Sequence, residues 1–268
     1  MAVSASPATV LHVQDYLETS RIYRLLLRDA GMVSAVARGV RRSGRTASAP
    51  PDLFATGVVQ IDLRPGRDLH ALREFDATRP RLGISEALPR FLAAGAIAEV
   101  ALHFVADEPS PQAYDAVIEG LDAVARAAPD VVDVAALQAL WRLVAALGFS
   151  PVLDHCASCG RPLPLDDEQA VPFHHRSGGV LCDRCALDWQ GGEGTVRGAR
   201  TIPASARRQL RGWTTPGSPA DDAAVDPGLL DAATLRAHRR LLREFLREHL
   251  IERRELRAYS AWEAGFPV

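Results

Sequence analysis

The chain has no lysine: all 31 basic residues among its 268 are arginine. That excludes a phosphate-binding loop of the Gly-x4-Gly-Lys-Ser/Thr kind, whose lysine must reach the nucleotide phosphates. Long apolar runs are also missing. None reaches the roughly 18 uncharged residues a membrane span needs. The opening MAVSASPATVLHVQDY has no basic region ahead of an apolar core, so no secretory signal is read there. Gly-x-Ser-x-Gly, His-Glu-x-x-His and a clustered Asp/Glu set for two metals are all absent, and no nucleophile has an evident base. Asp166-Asp167-Glu168 is an acidic run best read as a solvated loop face. The expectation is a non-enzymatic protein of the cytosol. Thiols stay reduced in that compartment, so the four cysteines are not expected to form two disulfides.

Composition is that of an ordinary globular protein, 47% hydrophobic and 24% charged. The net charge of −2 hides an uneven distribution. Between Arg21 and Arg45 stand seven arginines against one acid; between Leu82 and Ala170, four against thirteen; between Arg197 and Arg257, thirteen against eight. Two basic ends flank an acidic middle, a sign asymmetry that favours a nucleic-acid surface over a solvated arginine face.

Residues 1–80 read as β. VLHVQDYLETSRIYRLLLRD has short apolar runs broken at Glu18-Thr19-Ser20. MVSAVARGV carries Val33, Val36 and Val40. ATGVVQIDLRPG alternates Val59, Ile61 and Leu63 before a Pro65-Gly66 turn. Short strands between Gly/Pro signals over this length suit a five-stranded barrel. RGVRRSGRTASAPP, residues 38–51, is expected to be a basic mobile loop. From Arg81 the period becomes helical. One helix runs through Leu88, Phe91, Leu92, Ala96, Val100 and Phe104, with Ser85-Glu86 at its start. A second runs near Gln112–Ala127. A third, apolar nearly all round, has Asp133 as N-cap and ends at Gly148. After the cysteines come a short helix, ASARRQLRGW, and one long final helix over 229–260, with a stripe of Leu235, Leu241, Leu242, Phe245, Leu246 and Ile251.

All four cysteines lie in 154–190, as Cys156-x2-Cys159, 22 residues, and Cys182-x2-Cys185. Each two-residue gap lets both thiolates of a knuckle point at one centre. Four soft sulfur ligands suit a tetrahedral structural Zn2+ with no open position for catalysis. Gly160 follows the first pair, where the turn wants positive φ. A metal-free reduced pair of motifs and a redox dithiol are the alternatives. His155, His174 and His175 are spare ligands that four cysteines make unnecessary.

Taken in order, these pieces resemble the bacterial RecO family of DNA repair proteins over essentially the whole length. The resemblance rests on Leu17-Glu18-Thr19-Ser20, Asp29-x-Gly31, Ala37-Arg38-Gly39-Val40-Arg41, and Leu53 with Phe54. It continues through Leu147-Gly148-Phe149, Leu153, Cys156-x2-Cys159-Gly160, Gly178-Gly179-x-x-Cys182-x2-Cys185 and Glu252-Arg253-Arg254-Glu255-Leu256. It implies an α+β fold: an N-terminal OB-fold barrel at 1–80, a helical domain at 81–153 and 191–268, and an inserted zinc module at 154–190. It further implies binding of single- and double-stranded DNA, strand annealing, and work with RecR, with or without RecF, in loading RecA onto strands coated by single-strand-binding protein. That protein's acidic tail would dock in the helical domain, with Arg126 and Arg142 as candidate contacts. DNA would lie along Arg21, Arg24, Arg28, Arg38, Arg41, Arg42 and Arg45. Tyr16, Tyr23, Phe54 and Phe75 are read as core more than as stacking platforms. The competing reading, a zinc-ribbon transcription or translation factor, shares the cysteines but predicts no barrel ahead of an apolar helical bundle.

Overall fold

The computed structural model describes residues 3–39, 51–63, 66–165, 168–190, 199–215, 231–250 and 255–265. Most of the basic loop at 38–51 lies outside them, as do Arg41, Arg42, Arg45, Ile251 and Glu252-Arg253-Arg254. By packing, the chain divides into two compact units, residues 1–139 with 256–268, and residues 140–255.

The first unit opens with the expected barrel. β1 (Val3–Tyr16), β2 (Ser20–Leu27), β3 (Gly31–Ala37), β4 (Thr56–Asp62) and β5 (His70–Arg79) close in the order β1-β2-β3-β5-β4. β1 is long enough to pair with β2 through one half and with β4 through the other; β3 and β5 close the ring in parallel. Period two places Tyr23, Leu25 and Leu27 inside with Val10, Ala35, Val59, Ile61 and Phe75. The turn before β3 needs Gly31: its φ is +71°, and a Cβ would lie 2.3 Å from the Glu108 carbonyl oxygen.

Helices follow: α1 (Leu82–Ser85), α2 (Leu88–Phe104), α3 (Pro111–Arg126) and α4 (Val132–Ala146). Three details correct the sequence reading. Ser85-Glu86 does not cap α2. Ala87 occupies the N-cap, and Ser85 Oγ instead donates to the Leu82 carbonyl. Because α2 is apolar on every side, its pattern could not tell which face is covered: Leu88 and Phe91 are exposed, while Ala93, Ala94, Ala96, Ile97 and Ala101 are buried. Asp133 lies inside the first turn of α4, where its Oδ1 accepts from Trp262 Nε1.

That tryptophan belongs to α8 (Arg257–Ala264), which returns to the first unit. The expected single helix over 229–260 is therefore two, α7 (Ala232–His249) and α8, with Leu256 in extended backbone at the start of the second. Tyr259 and Trp262 are buried, and the Tyr259 N–H donates to Glu99 on α2. Ala258 packs over Gly95, where a Cβ would stand 3.6 Å from its own, an ordinary van der Waals contact.

The second unit holds the end of α4, a sheet of order β7-β6-β8, α5 (Asp183–Gln190), α6 (Ala204–Thr214) and α7. Its strands are β6 (Val171–His174), β7 (Gly179–Val180) and β8 (Ala199–Ile202). Phe245 stacks between Trp141 and Phe173, at 5.2 and 6.2 Å between ring centroids. Leu241, Leu242 and Leu246 join it as expected, whereas Leu235 is only half-buried. The stripe also contains His238, 2% exposed, against Trp213 and 2.9 Å from Gln209 Oε1.

Burial pushes the His238 imidazole down to about 4. Below pH 6.5 the unfolded chain therefore binds a proton that the folded chain refuses. Stability is expected to fall as pH drops from about 6.5 to about 4. Urea midpoints for wild type and His238→Gln at pH 7 and pH 5 check this. The variant should lose less on acidification, and equal losses would remove His238 as the cause.

Candidate functional site

The four cysteine sulfurs come together from two short turns. The Cys156 N–H donates to the Arg161 carbonyl and the Gly160 N–H to the Cys156 carbonyl, closing the first knuckle with Gly160 at φ +72°, the conformation expected of it. Cys182 and Cys185 sit at the entry to α5, where the Ala186 N–H donates to the Cys182 carbonyl. The Ala157 N–H ties the first knuckle to Val180 of β7. Gly179 lets that strand lie against Val152, since a Cβ there would fall 2.3 Å from the Val152 oxygen.

All four Sγ atoms lie within 4.8 Å of one another, with Cys159 and Cys182 3.8 Å apart, and all are free thiols. Their crowding splits their acidities. Burial raises Cys156, but the amide N–H groups of Cys182, Cys159 and Ser158 outweigh it and hold the thiol down at about 6. Hydrogen bonding to Cys159, with burial second, pushes Cys185 up to about 12. Such a set could hold a metal ion. The histidines do not join it. His155 lies 2.6 Å from Asp154, His174 lies 2.7 Å from Ser177 Oγ, and His175 sits beside Glu244.

An arginine not anticipated from sequence braces this cluster. Arg207 on α6 is 1% exposed and donates from Nε to the Leu153 carbonyl at 2.7 Å and from Nη2 to the Leu163 carbonyl, one on each side of the first knuckle. One turn on, Arg211 pairs with Asp154 at 3.1 Å. Arg81 does comparable work in the first unit. Its buried guanidinium donates to Asp122 at 2.6 Å, to the Phe54 carbonyl and to Thr56 Oγ1, both at 2.7 Å. Nothing in an arginine-rich sequence separates these two from solvated neighbours.

The arginines expected on the barrel fall into three situations. Arg21 pairs with Asp15 at 3.0 Å, and Arg28 grips Asp115 of α3 with two hydrogen bonds. Arg24 donates to Ser34 and lines a cleft of about 440 Å³ with Arg67, Asp68, His70 and Asp107. Arg67 and His70 were not picked out from sequence. Arg38 is exposed at the end of β3. Of the barrel aromatics, Tyr23, Phe54 and Phe75 are buried, as expected, and only Tyr16 is well exposed. Arg126 stands exposed in the last turn of α3, in the first unit; Arg142 is half-buried in the second. Among the described residues, no helix is long and apolar enough to cross a membrane.

Residues 1–81 match the family model described as recombination protein O N terminal, and residues 85–257 the one described as recombination protein O C terminal. A protein of Anaeromyxobacter sp. named DNA repair protein RecO is 32% identical over 253 residues, 93% of this chain and 92% of its own. One of the same name from Anaeromyxobacter dehalogenans is 34% identical over 255 residues, 93% and 92%. Another from Thermobifida fusca is 29% identical over 245 residues, 89% and 94%. Matched over both its N-terminal and C-terminal parts, the chain belongs to the RecO family of DNA repair proteins.

Proposed function

We propose that this protein is a non-enzymatic mediator of DNA repair and recombination. It binds single- and double-stranded DNA, anneals complementary strands, and works with RecR, and with RecF where present, to load RecA onto DNA coated by single-strand-binding protein. The place of action is the cytoplasm, at the nucleoid. The observation that carries the reading is a closed five-stranded barrel with Arg24 and Arg67 on one cleft, Arg38 exposed just after β3 and three more arginines in the sequence at 41, 42 and 45. Barrels of this kind bind single strands through a positive groove and aromatic stacking. With one exposed aromatic, Tyr16, the balance shifts to the phosphates and binding is indifferent to base. Arginine's planar donor fork suits that contact. A surface that neutralises two strands lowers the repulsion between them, which is the physical content of annealing. Arg21 and Arg28, already ion-paired, contribute less than Arg24, Arg38, Arg41, Arg42 and Arg45. The acidic tail of single-strand-binding protein docks in the helical part, with Arg126 of the first unit and Arg142 of the second as candidate contacts, each to be tested by itself.

The metal is Zn2+ in a structural role. Cys156, Cys159, Cys182 and Cys185 fit it: at a Zn–S distance of about 2.3 Å the edge of a sulfur tetrahedron is about 3.8 Å, and Cys159 and Cys182 stand at 3.8 Å. Bound there, zinc supplies cross-linking alone, because four thiolates leave no position for substrate.

Replacing Arg41 and Arg42 together by alanine is expected to weaken oligonucleotide binding. Each lost phosphate contact should flatten the salt dependence by about 0.7 in log–log slope. Fluorescence anisotropy across a salt series reads both. Unchanged affinity at every salt concentration would remove this segment as the main contact. Wild-type protein that retains no oligonucleotide even in dilute buffer would end the whole reading.

A further inference from the structure

The second unit carries a recess of about 500 Å³ between β8 and α7, lined by His175, Arg200, Arg240, Glu244, Arg247 and Glu248. Glu244 anchors it. Arg200 grips its carboxylate through two hydrogen bonds, at 2.5 and 2.6 Å, Arg240 Nε donates to it at 3.1 Å, and His175 Nε2 lies 3.0 Å away. Burial alone would raise Glu244; the hydrogen bonds from Arg200 and Arg240 override it and hold the carboxyl at about 2. Glu248 faces Arg176 at 3.9 Å. Three guanidinium groups, Arg176, Arg200 and Arg240, therefore share two carboxylates while Arg247 lines the recess beside them, and His175, buried with Nδ1 lacking a partner among the described residues, is kept neutral by that burial. The recess retains positive charge after its internal pairs are formed.

The helix extends this charge. Arg236, Arg240, Arg243 and Arg247 recur at steps of four, three and four, which keeps them on one face of α7 over about 16 Å at 1.5 Å per residue. Arg236, Arg240 and Arg247 are exposed. A row of planar donor forks of this length suits a repeating phosphodiester more than a single anion. An acidic peptide would also bring side chains that need an apolar wall, and among the described residues Ala199 is the one apolar residue lining the recess.

We propose that the α7 arginine row and its recess form a second phosphodiester site. Arg240 and Arg247 make the contacts, and Arg200 and Glu244 hold Arg240 in place. The site takes a second DNA strand. The inference rests on the strand-pairing reading above and supplies the place where the other strand is held.

The test uses the full-length protein, wild type and Arg240→Gln/Arg247→Gln, with labelled oligothymidylate at low salt. Two strands per protomer are expected for wild type and one for the double variant, while Arg247→Gln alone should flatten the salt slope of the second strand by about 0.7. Annealing of complementary oligonucleotides should be at least tenfold slower. Arg247→Gln alone, which leaves the Glu244 pairs intact, should show the same trend if the double variant folds poorly. Unchanged strand number in both variants overturns the proposal. So does a labelled acidic peptide whose binding the double variant abolishes while strand number stays at two. Wild type that binds two strands yet fails to anneal them keeps this site and sinks the annealing reading instead.

Discussion

Removing the proposed zinc with a chelator is expected to unfold the cysteine cluster and loosen the second unit around it. In zinc-binding peptides the apparent binding free energy is about 10–16 kcal/mol and appears as folding energy. That matches or exceeds the 5–15 kcal/mol of net stability typical of a whole domain. The segment has the Arg207 brace and the strand pairing of β6, but little apolar support around the thiols. Its own apolar cluster is Leu181, Ala186, Cys156, Cys182 and Cys185, with Ala157 and Leu163 half-buried beside them. Native mass spectrometry should find one zinc per chain. Hydrogen exchange over residues 152–186 should accelerate strongly once the zinc is removed, and Cys156→Ser should reproduce the effect. Protein isolated without metal, with the same exchange pattern before and after chelator, would show that the thiols stand unligated. A secondary consequence concerns Arg207. It donates to carbonyls on both sides of the first knuckle, so losing the metal leaves a buried guanidinium facing a mobile loop.

Arg81→Met should be among the most destabilising single substitutions in the first unit, costing about 3–5 kcal/mol, the range for removing one partner of a buried ion pair. The Arg81 side chain is 3% exposed. Besides Asp122, its loss strips donors from the Phe54 carbonyl and from Thr56 Oγ1. Arg79 is the built-in control. It pairs with the same Asp122 at 2.8 Å, but its side chain is 56% exposed, so Arg79→Met should cost no more than about 1 kcal/mol. Urea midpoints of the two variants check the contrast. Equal losses would mean that the carboxylate, and not the buried hydrogen bonds, holds the barrel to α3.

The contrast shows what could be read from the sequence and what could not. The barrel was legible because period-two apolar residues, such as Val59 and Ile61, are cut by Gly and Pro at the turns. The cysteine cluster was legible because two Cys-x2-Cys pairs can bring four thiols to one place. Arg81 and Arg207 were not. In a chain whose every cation is arginine, buried and solvated guanidinium groups look alike, and only the carbonyls they meet distinguish them. The face of α2 was hidden for the opposite reason: alanine on all sides carries no moment. The break between α7 and α8 was masked by a helical pattern that continues without a glycine or proline until Gly265. Charge counting was informative in sum and misleading in detail. Arg21 and Arg28 belong to the basic N-terminal block, yet each already faces an aspartate.

Because α8 lies on α2, the first unit is assembled from both extremes of the polypeptide, with 116 residues of the second unit threaded between them. On the ribosome, at about 5–20 residues per second, Gly95, Glu99 and Asp133 wait on the order of ten seconds before Ala258, Tyr259 and Trp262 emerge to meet them. The intervening unit has that interval in which to gather its cysteines, so the order of synthesis favours completing the cysteine-bearing unit before the barrel-bearing unit can close.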